Sequence, residues 1–399
     1  MSERLLKGRE MRNQNIAKIV GLLILIFTPL NLGLTMMSTI PYGTPRFTPE
    51  IIREQGRSAR LGTYIYNHQT IAEHPEYFED IARLADIVLV DISWGRVMRN
   101  DSENPFDLAE FNFYSAFLEN LSVHGLDIVI QFSPTRSPPG WLDVELEMRT
   151  YRAQRPPIDV KEYEHFVSQL LRYVEEVVTF FKDMPYLNAP LEWCLADEPN
   201  TEHWTPVMED MYDLIKELNP EGLVSIVQDR PYLYQHYADA CDLFTIDPYG
   251  SDKLVEDRIR LAYSATQEEK PVRVIISGMA RPNDYYMIRR QIILSWFMGA
   301  HDVWYWSYNA RWDGQTNDWY VVLFNETSPE WTDRAYAVFE AKQDLHRFGQ
   351  IEEALLNSAL STELKNELST LEQRAYDQIM ALEFAKANAT LNSAINLIN

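Results

Sequence analysis

The most reactive-looking stretch of this chain is Asp197-Glu198-Pro199-Asn200, directly after the apolar run 191–196. Adjacent carboxylates repel and raise each other's pKa, which suits an acid that must keep its proton near neutrality. Consecutive residues of a regular strand face opposite sides. Pro199 is expected to end the strand and turn both side chains the same way.

The elements that would position this pair read clearly. Short β-rich apolar runs occupy 61–66, 87–92, 126–131, 191–196, 223–227, 243–246, 272–276 and 303–306. Amphipathic stretches with three- and four-residue spacing lie between and after them, at 77–84, 108–123, 160–181, 207–218, 255–263, 285–298 and 331–345, with a shorter one at 232–238. Eight β-then-α units in succession predict an α/β fold, a closed parallel (β/α)₈ TIM barrel. An open doubly wound sheet would call for a Gly-rich phosphate turn, and the chain has no GxGxxG.

Barrel catalysis takes place where strands end, so the residues at those ends are the candidates. The second run delivers Trp94 and Arg96. The third delivers Gln131, with Trp141 beyond it. Asp197 and Glu198 follow the fourth run, Asp229 the fifth, and Asp247 and Tyr249 the sixth. The eighth brings Trp304, Trp306 and Asn309. Alternation along that run predicts Trp304 and Trp306 facing the barrel or its mouth and Tyr305 facing out. Acids, amides and indoles at one rim suit a carbohydrate: carboxylates move protons and bind hydroxyls, and indole faces stack on sugar rings.

Bulk properties narrow the classes. The 399 residues are 46% hydrophobic and 24% charged, with a formal net charge of −23. Such a chain is repelled by phosphate backbones, so nucleic acid is disfavoured as a partner. The two cysteines, Cys194 and Cys241, read as buried free thiols. No HExxH, HxH or CxxC spacing occurs, so neither a metal nor a cofactor is indicated. The composition fixes no oligomeric state.

Arg4, Lys7, Arg9, Arg12 and Lys18 precede an uncharged stretch, 19–45, whose first part is strongly apolar. Residues 1–45 are thus expected to be a cytoplasmic basic flank plus a signal peptide or membrane anchor, placing the remainder outside the cytoplasm, membrane-anchored or secreted. If uncleaved, the segment would be the chain's membrane contact. Sequons at Asn120, Asn325 and Asn388 are compatible with export. Residues 46–350 then form the barrel, and 351–399, nearly free of Gly and Pro, form C-terminal amphipathic helices.

Residues 92–96 and 125–141 resemble the large clan of retaining (β/α)₈ glycosidases. In that clan an Asn-Glu-Pro on the fourth strand carries the acid/base and a Glu on the seventh is the nucleophile. Here Asp197 replaces the Asn, and 271–280 holds no carboxylate. A double displacement needs two carboxylates about 5 Å apart, so these departures put it in doubt. The Asp-Glu-Pro, the 303–309 run and residues 331–345 look more like the β-N-acetylgalactosaminidase-type glycoside hydrolases and their uncharacterised relatives. That resemblance spans roughly 60–350 and implies substrate assistance. Glu198 would be the acid/base, and Asp197 would orient an acetamido group that attacks the anomeric carbon. Tyr249 would be a donor to its oxygen, and Trp304 and Trp306 would wall the subsite. Two alternatives stand beside it: a glycosidase pairing Glu198 with Asp247 or Asp229, and an inactive carbohydrate-binding barrel.

Overall fold

The computed structural model describes residues 59–100, 105–132, 160–188, 190–278, 285–311 and 333–399, plus isolated positions and short strands between them. They fall within one compact unit, Phe47–Asn399. The expected N-terminal flank and apolar segment lie outside the described residues. Among the described residues no helix is long and apolar enough to cross a membrane.

Eight parallel strands close into a barrel in chain order: β1 (Leu61–Ile65), β2 (Ile87–Ile92), β3 (Asp127–Phe132), β4 (Glu192–Asp197), β5 (Leu223–Gln228), β6 (Leu243–Ile246), β7 (Val272–Ser277) and β8 (Val303–Trp306). β8 pairs back onto β1 with Trp304 beside Gly62. Strands covered on both faces must be apolar throughout, and β2, Ile-Val-Leu-Val-Asp-Ile, is buried until Asp91 near its end.

Two residue sets divide the strands. Tyr64, Leu89, Val129, Cys194, Val227, Ile275 and Trp304 pack together inside the barrel. Their neighbours Val88, Val90, Ile128, Ile130, Trp193, Leu195, Val274 and Tyr305 belong to the larger core under the helices. Trp304 fits inside because its partner on β1 is glycine. A Cβ on Gly62 would lie 2.2 Å from the indole.

The helices of the outer ring are α1 (Glu76–Leu84), α2 (Leu108–Val123), α3 (Val160–Phe181), α4 (Thr205–Leu218), α5 (Asp252–Ala265), α6 (Tyr286–Phe297) and α7 (Asp333–Leu356). Three short helical turns between Pro231 and Ala240 replace a full helix after β5. Two small antiparallel pairs, Asn309–Arg311 with Tyr320–Val322 and Phe324–Asn325 with Ser328–Trp331, precede α7.

The expected boundary at 350 falls inside α7, which runs on without a break. α8 (Thr362–Met380) and α9 (Phe384–Ile398) then pack on α7 and α6. A buried polar cluster ties them together. Arg289 of α6 pairs with Asp344 of α7 at 2.7 Å, donates to Asn388 of α9 at 2.9 Å and lies 4.5 Å over the Phe384 ring. The Asn388 oxygen accepts from Arg347 as well, at 3.2 Å. Asn388 is therefore committed to packing, whereas Asn120 is exposed on α2.

The N-terminal ends of the strands form a charged floor. Arg273 of β7, 3% exposed, donates both Nη atoms to Glu192 (2.5 and 2.8 Å) and Nε and Nη2 to Asp302 (2.7 and 3.0 Å). Its guanidinium stacks 4.3 Å over the Trp304 ring. Burial works against the charge of Arg273, but the two acids outweigh it and raise its pKa. Both cysteines are buried and free, and burial pushes the Cys241 thiol up to about 12.

Candidate active site

The mouth is built from the inward positions at the opposite, C-terminal ends of the strands. Gln131, Asp197 and Asp247 are 2%, 8% and 5% exposed, and Tyr249 is 37% exposed. Tyr66, just past β1, receives a hydrogen bond from Trp306 Nε1 at 2.9 Å. These two rings pack on the inner barrel cluster and wall one side of the opening.

Both carboxylates of the Asp-Glu pair face the mouth, and the cause is more specific than a strand ended by proline. β4 breaks register with β5 between Cys194 and Asp197. Glu198 then takes a left-handed conformation (φ 54°) while its N–H bonds Val227 O at 3.0 Å. A side chain other than glycine pays roughly 1–2 kcal/mol for this backbone region, and such strain collects at functional sites. Two stitches fix the loop beyond: Gln228 Nε2 to Pro199 O at 2.9 Å, and Arg230 Nη1 to Asn200 O at 3.2 Å.

Asp247 lies close enough to Glu198 for the two side chains to act on each other. Burial of Asp247 comes first among the causes that raise its pKa, followed by the Glu198 side chain and by the charges of Glu198, Asp197 and Asp229. Asp229 is raised too, by burial and then by the charge of Glu198, against the opposing pull of Arg230 and Arg258. Burial, then Asp247, Glu198 and Asp197, raise the Tyr249 hydroxyl.

Three polar atoms of these mouth residues have no hydrogen-bond partner among the described residues: Asp229 Oδ1, Asp247 Oδ1 and the hydroxyl of Tyr64. Tyr64 is 1% exposed, and burial followed by the charge of Asp197 raises its pKa. The sequence reading overlooked Tyr64 and Tyr66. Their two-residue spacing at the end of the first strand was the available signal. Among the described residues no group of three His, Cys, Asp or Glu side chains is placed to hold a metal ion.

Other expected site residues sit elsewhere. Trp94 is wholly buried behind β2, stacked on Tyr173 with its Nε1 on Met98 Sδ at 3.2 Å, so it has no face for a ligand. The chain turns into a short helix right after Ser93, which carries the indole under α3. Trp304 lies inside the barrel as filler at 0% exposure, because it is only the second residue of β8. Tyr305 faces out as expected. Arg96 pairs with Glu110 of α2 at 3.6 Å, and its charge acts on His68 and Tyr114. Trp141 and the side chain of Asn309 lie outside the described residues. The mouth therefore unites Gln131, Asp197, Glu198, Asp229, Asp247, Tyr249 and Trp306.

No family model and no curated protein matches the sequence. Solved structures do. A family 5 mannosidase from Rhizomucor miehei matches 74% of this chain and 95% of its own, with a TM-score of 0.55 and 14% identity. A β-galactosidase from the psychrophilic Marinomonas ef1 gives a TM-score of 0.58 at 12% identity, over 75% of this chain and 61% of its own. An endo-1,4-β-D-mannanase from Thermotoga petrophila RKU-1 gives 0.51 at 15%, over 71% and 99%. The chain has the (β/α)₈ fold that these glycoside hydrolases use.

Proposed function

We propose that the protein is a glycoside hydrolase that cleaves 2-acetamido sugars by substrate assistance, with Glu198 as acid/base. The observation that carries this reading is that β4 brings Asp197, followed at once by Glu198, to the mouth, while β7, Val-Arg-Val-Ile-Ile-Ser, brings no carboxylate. A retaining pair holds its carboxyls about 5–5.5 Å apart and an inverting pair wider. A second carboxylate in either role must be ionised, and burial together with Glu198 raises the pKa of both Asp247 and Asp229, which disfavours that form. β7 ends in Ser277, and the nucleophile is then left to the substrate.

In the first step Glu198 gives its proton to the glycosidic oxygen as the bond to the anomeric carbon breaks. The acetamido oxygen attacks that carbon from the other face, forming an oxazolinium ion. Asp197, 8% exposed, offsets its positive charge and accepts from its N–H. Tyr64 or Tyr249 donates to the acetamido oxygen. In the second step the Glu198 carboxylate takes a proton from water, whose oxygen attacks the anomeric carbon and reopens the ring. The sum is one water consumed, the configuration retained and the Glu198 proton restored. The basic and apolar N-terminal sequence supports an activity outside the cytoplasm, at or beyond a membrane.

The test is a panel of aryl glycosides with and without the 2-acetamido group. It is read for the wild type, Glu198→Gln and Asp197→Asn. Cleavage confined to acetamido sugars is expected, with a loss of about 10²-fold or more in each variant. Equal cleavage of 2-hydroxy sugars overturns substrate assistance. Cleavage of nothing favours a binding barrel.

A further inference from the structure

We infer that Tyr232 is the platform on which the leaving-group side of the substrate stacks. This deepens the reading above and rests on it. Tyr232 is a large aromatic side chain left 67% exposed, which is unusual beside a site that buries most of its neighbours. It is also held in place. Its hydroxyl accepts from Arg230 Nη1 at 3.1 Å, and the same Nη1 donates to Asn200 O at 3.2 Å. The Arg230 backbone N–H donates to Gln228 Oε1 at 3.0 Å, and the amide of that Gln228 donates to Pro199 O. The β5 loop that carries Tyr232 is therefore stitched, through two hydrogen bonds, to the two residues that follow Glu198, and two more within the loop tie Tyr232 to that stitching.

That placement has a chemical consequence. A general acid must lie within hydrogen-bond reach of the oxygen it protonates. The departing group is thus on the Glu198 side of the mouth, the rim that Tyr232 shares. The walls of the reacting sugar, Tyr66 and Trp306, stand apart on β1 and β8. An exposed ring with its hydroxyl tethered loses little freedom when a second ring stacks on it, so the contact is pre-organised. The charge of Glu198 reaches Arg230 as well, which ties the platform's anchor electrostatically to the acid.

The experiment compares full-length wild type, Tyr232→Ala and Tyr232→Trp on two substrates with the same 2-acetamido sugar: the 4-nitrophenyl glycoside and the glycosyl fluoride. The fluoride has no ring to stack. Tyr232→Ala is expected to lower kcat/KM on the aryl glycoside about 5- to 10-fold, mostly through KM, and to leave the fluoride within about 2-fold. Tyr232→Trp retains the wild-type preference. Equal loss on both substrates, or loss on neither, overturns the platform while leaving the hydrolase reading intact. A wild type that cleaves neither substrate overturns that reading and the platform with it.

Discussion

Replacing Asp247 with asparagine tests the electrostatic coupling between Asp247 and Glu198. Two unit charges about 4 Å apart repel by about 4 kcal/mol at an effective dielectric near 20. At about 1.36 kcal/mol per pKa unit this is about 3 units. Glu198 is partly exposed, and solvent reduces the coupling to roughly 1–3 units. In the wild type the burial of Asp247 and that repulsion favour the protonated form to higher pH. The substituted asparagine carries no charge and its amide can donate to Glu198, so the carboxylate form of Glu198 gains. The alkaline limb of the kcat/KM profile therefore moves down by about 1–3 units, and activity at neutral pH falls. Two readings need no substrate. The ¹³C resonance of the Glu198 carboxyl should titrate at lower pH in the variant. Stability should respond as well. A carboxyl whose folded pKa is raised contributes stability below its unfolded pKa, about 3.9 for Asp, and loses it as pH rises through the folded value. Wild type should thus lose stability with rising pH relative to Asp247→Asn. An unmoved alkaline limb and an unmoved Glu198 titration would refute the coupling.

Two further substitutions separate stability from chemistry. Arg273→Leu strands Glu192 and Asp302 as buried, unpaired acids on the barrel floor, and urea denaturation should show a loss of about 3–5 kcal/mol. Tyr64→Phe removes a buried hydroxyl that has no partner among the described residues. The thermal midpoint should hold or rise, while kcat/KM on an acetamido glycoside falls roughly 10-fold or more. A drop in stability with unchanged activity would show that the hydroxyl serves the fold instead.

The strands were legible because a parallel barrel buries both faces of each one, and runs such as 87–92 and 303–306 then stand out as unbroken apolar segments. The Asp-Glu pair was legible because its chemistry survives in one dimension. Depth was not. Trp94, Trp304 and Trp306 have the same side chain, yet a helical turn hides the first and β8 places the second below the third. Tyr64 and Tyr66 read as ordinary strand formers, and only closure of the barrel brings them against the mouth. The Glu198–Asp247 contact joins the ends of two strands far apart in sequence, and no local spacing announces it. The turn of Glu198 toward its partner rests on a register shift in β4, for which Pro199 was only a neighbouring clue.

The seam between β1 and β8 sets the order in which the molecule can be finished. Thr63 Oγ1 donates to Tyr305 O across 242 residues of sequence, at 3.2 Å. Lys342 of α7 caps the carbonyls of Ala82 and Ala85 at 2.8 and 2.7 Å, while His346 meets Asp86 at 2.9 Å. The first strand to leave the ribosome thus waits for the last strand, and for the helix behind it, before its edge is covered. Contacts this distant are slow to form, and an uncovered β1 is open to pairing with other chains in the meantime. A growing chain is accordingly an incomplete barrel until almost the whole sequence has emerged, and its exposure to chaperones lasts as long as that wait.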